Sequence, residues 1–392
     1  MMKAVLFDGQ YHKSLLPLTY TRPVSFLRVG IFTIKEKWER YLEMEVLVRC
    51  KDFLANKFNS YEDSASIGIS AALLPDPSIV SVLLDLEDQT ILMKDELVLA
   101  ISPLPKNDEH LEDKLNKYNV LQYQEDISVI ERPHDIFMKN GNEIEKDYDF
   151  IKDEVKTIDP DPSNTVFGDQ LIIEEGAIVR GSTINCEEGP VYIGKNAEVM
   201  EGALIRGPFA LLDHSVVKMG AKIYGPTTFG PYSKVGGEVG NSVILGYSNK
   251  AHDGYLGNSV IGEWCNLGAD TNTSNLKNNY GSVKTWSYKE NDMIDTGTQY
   301  CGLIMGDHSK CGINTMFNTG TVVGVFANIF DAGFPPKHIP SFSWGGKHEM
   351  TAYKIDKALE LAKIVMNRRN VEITDQDKEI LMHLFELTDQ FR

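Results

Sequence analysis

The chain has 392 residues, enough for two or three domains with hydrophobic cores of their own. Its 42% hydrophobic and 24% charged residues are typical of a globular protein, and the net charge of −17 argues against nucleic acid, which requires a basic surface. No apolar run fits a secretory signal or a bilayer span, and five cysteines without a C-x-x-C pair are typical of reduced thiols, so we expect a cytoplasmic protein without membrane partners.

The first 160 residues alternate short apolar strands with helical patterns. The helix that starts at Asp76-Pro77 has the clearest signal, with Asp at the N-cap and Pro in the first turn. This alternation predicts an α/β domain with a mostly parallel sheet over residues 1–160, ended by the linker DPDPSN. The other predicted elements are strands over Lys3–Phe7, Glu45–Arg49 and Val120–Tyr123, helices over Gly30–Leu42 and Glu109–Tyr118, and a hairpin of Thr90–Met93 and Leu97–Ile101.

Between Val166 and Ile329 an apolar residue recurs every six positions, without a break from Ile193 to Val235. This period fits neither a helix nor a simple alternation, but it fits short strands joined by tight corners, three to a coil. Such coils stack at the strand spacing of about 4.8 Å and are stabilised by their neighbours. Gly or Asn often follows the apolar residue, as at Gly194 and Gly230, and we expect these residues to adopt positive φ at the corners. The sequence therefore predicts a solenoid over residues 165–345.

Two segments interrupt the repeat, Gly246–Gly254 and Asp270 to about Gly297. Interruptions of a rigid solenoid map to loops, and loops often carry function. The second is polar and rich in Asn, so we expect it to reach a substrate or an adjacent subunit. We also expect Phe334–Pro340 to end the solenoid, because Pro lacks the N–H that a strand ladder requires. The C-terminal segment 346–392 is predicted to form two helices, Lys347–Arg368 and Thr374 to about Leu387, which either cover the solenoid or bind a partner.

The six-residue pattern resembles the hexapeptide-repeat left-handed β-helix. The resemblance implies the left hand, a homotrimer, and active sites between neighbouring helices. The segment NKAHDGYLGNSVIGEWCNLGADTNTSNLKNNYGSVKT further resembles the acetyltransferase site of bifunctional enzymes that acetylate glucosamine-1-phosphate and then uridylylate it. This resemblance implies His252 as catalytic base, Tyr255, Asn266, Asn275 and Lys284 as substrate-binding residues, and Ala269 as a backbone contact to acetyl-CoA. The sequence departs from the family in three places. The glycine that precedes the histidine in the family is missing, so that Ala251 adjoins His252 directly, Gly240 stands where the family has a lysine, and Asp270 stands where glycine is usual.

The residue types agree with this chemistry. An amine attacks a thioester only when it is neutral, and a histidine, with an ordinary pKa near 6.5, is suited to accept its proton at neutral pH. Asn side chains offer a donor and an acceptor to sugar hydroxyls without adding charge. The alternative is that His252 only stabilises a corner of the coil.

The opening VLFDGQYHKSLLPLTYTRPVSFLRVG resembles the start of sugar-1-phosphate nucleotidyltransferases, whose motif is a Gly-rich loop ending in Arg and then P-L-T-x-x-x-P-K. Glycines let backbone N–H groups approach a triphosphate, and basic residues neutralise it. The resemblance implies nucleotide contacts at Gly9, Arg22 and Arg28, and allows Mg²⁺. Val24 stands where the family has lysine. No metal ligands can be assigned, and Asp8, Asp76 and Asp85 are candidates only by position.

Taken together, the chain resembles a divergent family of bacterial proteins that combine a diphosphorylase with an acetyltransferase. The resemblance implies acetyl transfer from acetyl-CoA to an amino-sugar-1-phosphate, and nucleotidyl transfer by the N-terminal domain. Two alternatives stay open. One is a sugar-1-phosphate nucleotidyltransferase, using UTP or dTTP, whose β-helix only trimerises. The other is a non-catalytic scaffold that binds sugar nucleotides.

Overall fold

The computed structural model describes residues 3–58, 67–105 and 117–392. By its contacts the chain divides into two compact units. The first consists of Met1–Leu15, Arg22–Leu27 and Phe32–Glu131, and the second of Leu16–Thr21, Arg28–Ile31 and Arg132–Arg392. The domain boundary near residue 160 stays a prediction, because residues from Arg132 onward group by contacts with the solenoid. Among the described residues, no helix is both long and apolar enough to cross a bilayer.

The first unit contains a six-stranded sheet. The N-terminal strand pairs in parallel with two neighbours, whereas the hairpin Thr90–Lys94 and Leu97–Ser102 introduces antiparallel pairs, because a tight turn can join only antiparallel strands. The sheet is therefore mixed, and three of its five pairings are parallel, in agreement with the prediction of a mostly parallel sheet. In spatial order its strands are Leu47–Arg49, Ala4–Phe7, Ile67–Ser70, Leu97–Ser102, Thr90–Lys94 and Asn119–Gln122, and Leu73–Leu74 pairs separately with Ser128–Val129.

The helices of this unit largely follow the predicted pattern. Asp76 accepts hydrogen bonds from the N–H groups of Ser78 and Ile79, which confirms the predicted cap. The helix predicted from Gly30 begins only at Ile34, because Thr33 forms a capping box with Glu36. The helix predicted over Glu109–Tyr118 falls mostly on residues 106–116, outside the described residues. The helices are Tyr11–Ser14, Ile34–Leu42, Asp52–Phe58 and Pro77–Leu84, with a 3-10 turn at Val24–Phe26.

The second unit is the parallel β-solenoid, which confirms the interpretation of the six-residue repeat. Successive coils pair in register, with Ile193 beside Leu211 and Leu211 beside Phe229 in the interior. The left hand remains an implication of the resemblance. Three parallel faces form. Face A contains Leu171–Ile173, Val191–Ile193, Phe209–Leu211, Thr227–Phe229, Val243–Gly246, Val260–Glu263, Leu303–Met305, Thr321–Val323 and His338–Ile339.

The other two faces follow the same coils. Face B contains Ile178–Val179, Glu198–Val199, Val216–Val217, Lys234–Val235, Asn249–Lys250, Asn266–Leu267, Lys310–Cys311, Asn328–Ile329, Ser343–Gly345 and Met350–Ala352. Face C contains Thr165–Phe167, Thr183–Asn185, Leu204–Arg206, Lys222–Tyr224, Glu238–Gly240 and Tyr255–Gly257, and Asn272–Thr273 pairs further along with Met316–Phe317.

The corners of the coils differ from the prediction. Gly194 and Gly230 do not adopt positive φ; Asn196 and Tyr232, two residues later, do. The glycines serve close approach instead, because a Cβ at Gly230 would lie 1.9 Å from the carbonyl oxygen of Leu245 in the next coil. Glycine is therefore required where neighbouring backbones touch, and the left-handed position falls on another residue.

Aromatic rings occupy the left-handed corner between faces A and B in successive coils. We call this row the aromatic ladder. Neighbouring rings stack nearly parallel, with Tyr247 and Trp264 separated by 4.2 Å between centroids and inclined by 20°. Stacking of this kind offsets the cost of positive φ in a residue that has a Cβ. The ladder consists of His214, Tyr232, Tyr247, Trp264, His308, Phe326 and Phe342.

The first interruption does not leave the solenoid. Asn249–Lys250 pairs with Lys234–Val235, and the next strand, Tyr255–Gly257, pairs with Glu238–Gly240. Leu256 supplies the inward apolar residue of this strand. The second interruption does form an excursion. It contains the antiparallel hairpin of Lys284–Ser287 and Asp292–Asp295, after which face A resumes at Leu303.

The solenoid does not end at Phe334–Pro340. His338–Ile339 pairs with Thr321–Val323, and Ser343–Gly345 pairs with Asn328–Ile329, so both faces continue. Pro335 and Pro336 precede the first of these strands and Pro340 follows it, so its ladder stays intact. Residues 350–352 form an antiparallel edge strand, so the first C-terminal helix starts later than predicted. The helices are Ile355–Asn367 and Asp375–Leu387, and Thr374 caps the second through a capping box with Asp377.

The helix Asp135–Ile151, which the sequence analysis missed, packs on face A through a polar seam. The Asn140 side-chain oxygen accepts from the N–H of Gly30 at 2.8 Å and from the Thr228 hydroxyl at 3.2 Å. Asp147 accepts from the N–H of Ile31 at 2.7 Å. These bonds satisfy backbone groups of a buried segment that belongs to no helix or strand.

Replacing Gly30 with alanine is expected to lower the free energy of unfolding by about 3 kcal/mol. Gly30 has a φ of +82°, and a Cβ there would lie 2.4 Å from the Asp147 carboxylate and 2.8 Å from the Glu143 backbone. Gly220→Ala is the matched control, since its φ is +66° but nothing lies within 4 Å of the added Cβ. It should cost only the roughly 1–2 kcal/mol of left-handed backbone. Equal losses for the two variants in urea titrations would contradict a steric origin.

Acid stability should depend on His338. Burial lowers the pKa of this histidine to about 4, and its ring stacks on Trp286 at 4.2 Å between centroids. Because the unfolded chain binds the proton near pH 6.5 and the folded chain does not, stability is lost as the pH falls from 6.5 toward 4. In His338→Phe, which keeps a stacking ring, thermal melts at pH 7 and pH 5 should differ less than in the unmodified protein. An equal difference would show that His338 does not titrate this way.

Candidate active site

A cleft of about 630 Å³ opens along face B of the solenoid. Three of the residues predicted from the sequence line it: His252, Asn266 and Ala269. They come from consecutive coils, because the register of face B places Asn249 beside Asn266. The remaining lining residues are Lys234, Tyr247, Asn249, Ala251, Trp264, Cys265, Leu267, Gly268, Lys310, Ile313, Val365, Arg368 and Arg369.

The loop that carries His252 is held from inside the solenoid by Lys250. This lysine takes an inward position beside Val235 and is 2% exposed. Its ammonium group donates to the carbonyl oxygens of Gly236 at 3.1 Å, of Asp253 at 3.2 Å, and of His252 itself. The anchor fixes the backbone of the loop while the His252 side chain remains exposed to the cleft.

Burial lowers the pKa of Lys250 to about 8, and the charges of Asp253 and Asp270 oppose that shift. A buried ammonium is tolerated only when its donors are satisfied, and here backbone carbonyl oxygens satisfy them. The sequence analysis did not single out this residue. The only signal in the sequence was that Lys250 is a lysine at an inward position of a strand. That strand lies in Gly246–Gly254, which the sequence analysis took as an interruption of the repeat.

Tyr255 and Asn275, two of the predicted substrate-binding residues, lie outside the cleft lining. Tyr255 belongs to face C, and its hydroxyl accepts a hydrogen bond from the Asn275 side chain at 3.0 Å. The same amide donates to Asn258 at 2.7 Å. Lys284 begins a strand of the excursion and is exposed. Within one chain, the predicted substrate residues therefore form two groups on different faces.

The cleft also has a basic rim that the sequence analysis missed. Lys234 and Lys310 project from face B, and Arg368 and Arg369 come from the end of the helix Ile355–Asn367. Arg369 donates to the Asn249 side chain at 3.0 Å. The only sequence signal was a pair of arginines at the end of a helix, which is also where cations stabilise the helix dipole.

The three residues predicted to contact a nucleotide belong to two different units. Gly9 has a φ of +51° at the end of the first strand, and Arg22 is buried in the same unit. Arg28 belongs to a segment of the second unit, where its guanidinium donates to the carbonyl oxygen of Ile31. Val24, at the position of the family lysine, is fully buried, and its N–H donates to the Asp8 carboxylate at 2.9 Å.

Two of the three positional candidates for magnesium, Asp8 and Asp76, have hydrogen-bond partners within the fold. Asp8 accepts from Val24 and lies 3.4 Å from the His12 imidazole, and Asp76 caps a helix. In the part of the chain that the structure describes, no group of three or more His, Cys, Asp or Glu side chains could hold a metal ion. We therefore assign no chemical step to Mg²⁺.

Comparison with known proteins agrees with this architecture. Residues 4–156 match the family model for sugar nucleotidyl transferases. Over 229 residues, 58% of this chain and 48% of the relative, the chain is 33% identical to the bifunctional protein GlmU of Methanocaldococcus jannaschii. Over 145 residues, 36% of each chain, it is 33% identical to the bifunctional sugar-1-phosphate nucleotidylyltransferase/acetyltransferase of Sulfurisphaera tokodaii. The chain is similar to these bifunctional proteins over part of its length.

The similarity is partial. The matches span about half of the first relative and about a third of the second. The family model ends near the last residues of the helix Asp135–Ile151, which groups by contacts with the solenoid. Among solved structures, a Francisella novicida UDP-N-acetylglucosamine acyltransferase is 13% identical with a TM-score of 0.30, over 56% of this chain and 90% of that chain. A similarity at that level carries no argument about function.

Proposed function

We propose that the chain is a transferase whose solenoid moves an acetyl group from acetyl-CoA to the amine of an amino-sugar-1-phosphate, with His252 as general base. One observation carries the proposal: His252, Asn266 and the backbone of Ala269, assigned from the sequence to base, substrate and coenzyme, line a single cleft. The names of the relatives in Methanocaldococcus jannaschii and Sulfurisphaera tokodaii agree with it.

The proposed step starts with the His252 imidazole, which accepts a proton from the substrate amine as the nitrogen attacks the thioester carbonyl carbon. The C–N bond forms, and the carbonyl oxygen takes the negative charge. When the tetrahedral intermediate collapses, the C–S bond breaks and the thiolate leaves. The imidazolium returns its proton to the sulfur, so the products are the amide and free coenzyme A.

In this proposal, Tyr255 and Asn275 reach the active site through the assembly of several copies of the chain. The resemblance implies a homotrimer with active sites between neighbouring helices. An isolated chain holds Tyr255 on face C and Asn275 hydrogen-bonded to it, outside the cleft that His252 lines. We propose that a cleft on face B is completed by residues from a second copy. Sedimentation at micromolar concentration should therefore give a trimer, and a monomer would contradict this part of the proposal.

For the N-terminal unit we propose nucleotidyl transfer to a sugar-1-phosphate, on the match of residues 4–156 to the family model for sugar nucleotidyl transferases. A second candidate, binding of a sugar nucleotide without turnover, is favoured by one observation. Val24 is buried where the family has a lysine, and it supplies only a backbone N–H. A cytoplasmic location also stays a prediction.

The test uses the full chain in two separate assays. Glucosamine-1-phosphate with acetyl-CoA should release free thiol, whereas glucosamine-1-phosphate or acetyl-CoA alone should not. UTP or dTTP with sugar-1-phosphates should release pyrophosphate. Absence of thiol release with every amino-sugar phosphate tried would overturn the acetyl-transfer proposal. Absence of pyrophosphate with every nucleotide would favour binding without turnover in the N-terminal unit.

A further inference from the structure

The basic rim of the cleft is unusual in a chain of net charge −17. Four cationic residues, Lys234, Lys310, Arg368 and Arg369, line it, and no Asp or Glu is among the described residues of the lining. Within residues 3–58, 67–105 and 117–392, none of the four has a carboxylate oxygen within 4.0 Å. None of the four is therefore in a salt bridge, although the charge of Glu198 acts on Lys234 and the Lys310 ammonium donates to the carbonyl oxygen of His308 at 2.8 Å.

These cations also act on each other. Burial lowers the pKa of Lys234, and the charges of Arg369, Lys218 and Arg368 lower it further. Burial lowers the pKa of Lys310 to about 8. A surface that collects like charges without a partner is electrostatically unfavourable on its own, and an anion would relieve it.

The end of the helix Ile355–Asn367 links this rim to the predicted site residues through hydrogen bonds. Arg369 donates to the oxygen of Asn249 at 3.0 Å, and the amide of Asn249 lies 3.5 Å from the oxygen of Asn266. One hydrogen bond leaves most of the guanidinium's donors unused, and Arg368 is exposed to the cleft. The helix thus brings two arginines to the end of a cleft that has His252 among its lining residues.

We propose that Arg368 and Arg369, together with Lys234 and Lys310, form a binding site for a phosphate group of the ligand that occupies the cleft. Arginine suits this role because its planar fork can donate two parallel hydrogen bonds to phosphate oxygens. The C-terminal helix then has a function in substrate binding besides covering the solenoid. The inference rests on the proposed function only for the identity of the ligand.

Two sources carry the required phosphate, the 3′-phosphate of coenzyme A and the phosphate of the amino sugar. Calorimetric titration of the full chain distinguishes them without turnover. One arm compares coenzyme A with 3′-dephospho-coenzyme A, and the other compares glucosamine-1-phosphate with glucosamine. Each arm is run on the unmodified protein, on the double variant Arg368→Gln/Arg369→Gln, and on Lys363→Gln. Lys363 is an exposed cation of the same helix outside the cleft lining.

In the arm that contains the recognised phosphate, the phosphate-bearing ligand should bind about 10-fold or more tightly than its phosphate-free partner. That preference should disappear in the double variant, persist in Lys363→Gln, and decline with added salt. The inference would be overturned if the preference survives the double variant in both arms. It would also be overturned if the unmodified protein shows no preference in either arm. Circular dichroism melts of the variants check that the helix still forms. Binding of this kind without thiol release would retain the phosphate site and reject the transferase proposal.

Discussion

His252→Ala is expected to lower kcat for thiol release by about 10²–10⁴-fold, the usual contribution of a positioned general base. The KM values for both substrates should change little, because the side chain is proposed to act on the proton of the amine and not to hold the sugar.

The matched control is His214→Ala. His214 is an exposed histidine at a corner of the same solenoid, stacked on Tyr232 and outside the cleft lining. Its replacement should leave kcat unchanged apart from any loss of folded protein. If thiol release is equally fast in both variants and in the unmodified protein, His252 has only a structural role in the loop. That is the alternative that the sequence analysis left open.

Lys250→Met is expected to lower kcat by about 10²-fold, because a displacement of about 1 Å at a catalytic group can have that effect. Methionine fills the interior space but donates no hydrogen bond, so the carbonyl oxygens of Gly236 and His252 lose the ammonium. Hydrogen exchange should accelerate over residues 250–254 and not over the neighbouring coils. Lys222→Met, at an exposed lysine of face C, is the control and should change neither quantity.

The same variant should alter the pH dependence of stability. The pKa of Lys250 is about 8 in the folded chain and near 10.5 when unfolded. The folded chain therefore binds fewer protons between these values, and this group makes the free energy of unfolding rise as the pH increases from 8 to 10.5. The rise should be smaller in Lys250→Met than in the unmodified protein. If the urea midpoints of the two proteins differ by the same amount at every pH in this range, the idea of a buried lysine that titrates in the folded chain is contradicted.

The sequence predicted the fold well wherever a local repeat determines the structure. A period of six requires one inward side chain per strand, so Ile193 and Leu211 were placed correctly without any long-range information. The failures occur where the constraint is not local. The need for glycine at Gly230 comes from a carbonyl oxygen in the next coil, and sequence spacing alone cannot distinguish that contact from a positive φ. The helix Asp135–Ile151 was missed because its buried face is partly polar and includes Asn140 and Asp147.

The candidate site was predictable only where a motif carried it. His252, Asn266 and Ala269 were found through the resemblance, and the structure places them in one cleft. The basic rim was not found, because Lys234 and Arg369 are far apart in sequence and belong to different kinds of element. Lys250 was missed for another reason. A lysine is expected at the surface, and only the three-dimensional structure shows that backbone carbonyl oxygens surround its ammonium group.

The aromatic ladder has a consequence for how the molecule ends. Each ring in it is covered by a ring of the next coil, so the last, Phe342, would offer a bare face. The ring of Phe385, in the helix Asp375–Leu387, instead meets Phe342 edge to face at 5.2 Å between centroids, and the Arg392 guanidinium lies 5.9 Å from the Phe342 ring. A stack of open coils is a template for end-to-end polymerisation, as any unprotected sheet edge is. The helix Asp375–Leu387 therefore covers this end of the ladder, where the ring of a further coil would otherwise stack.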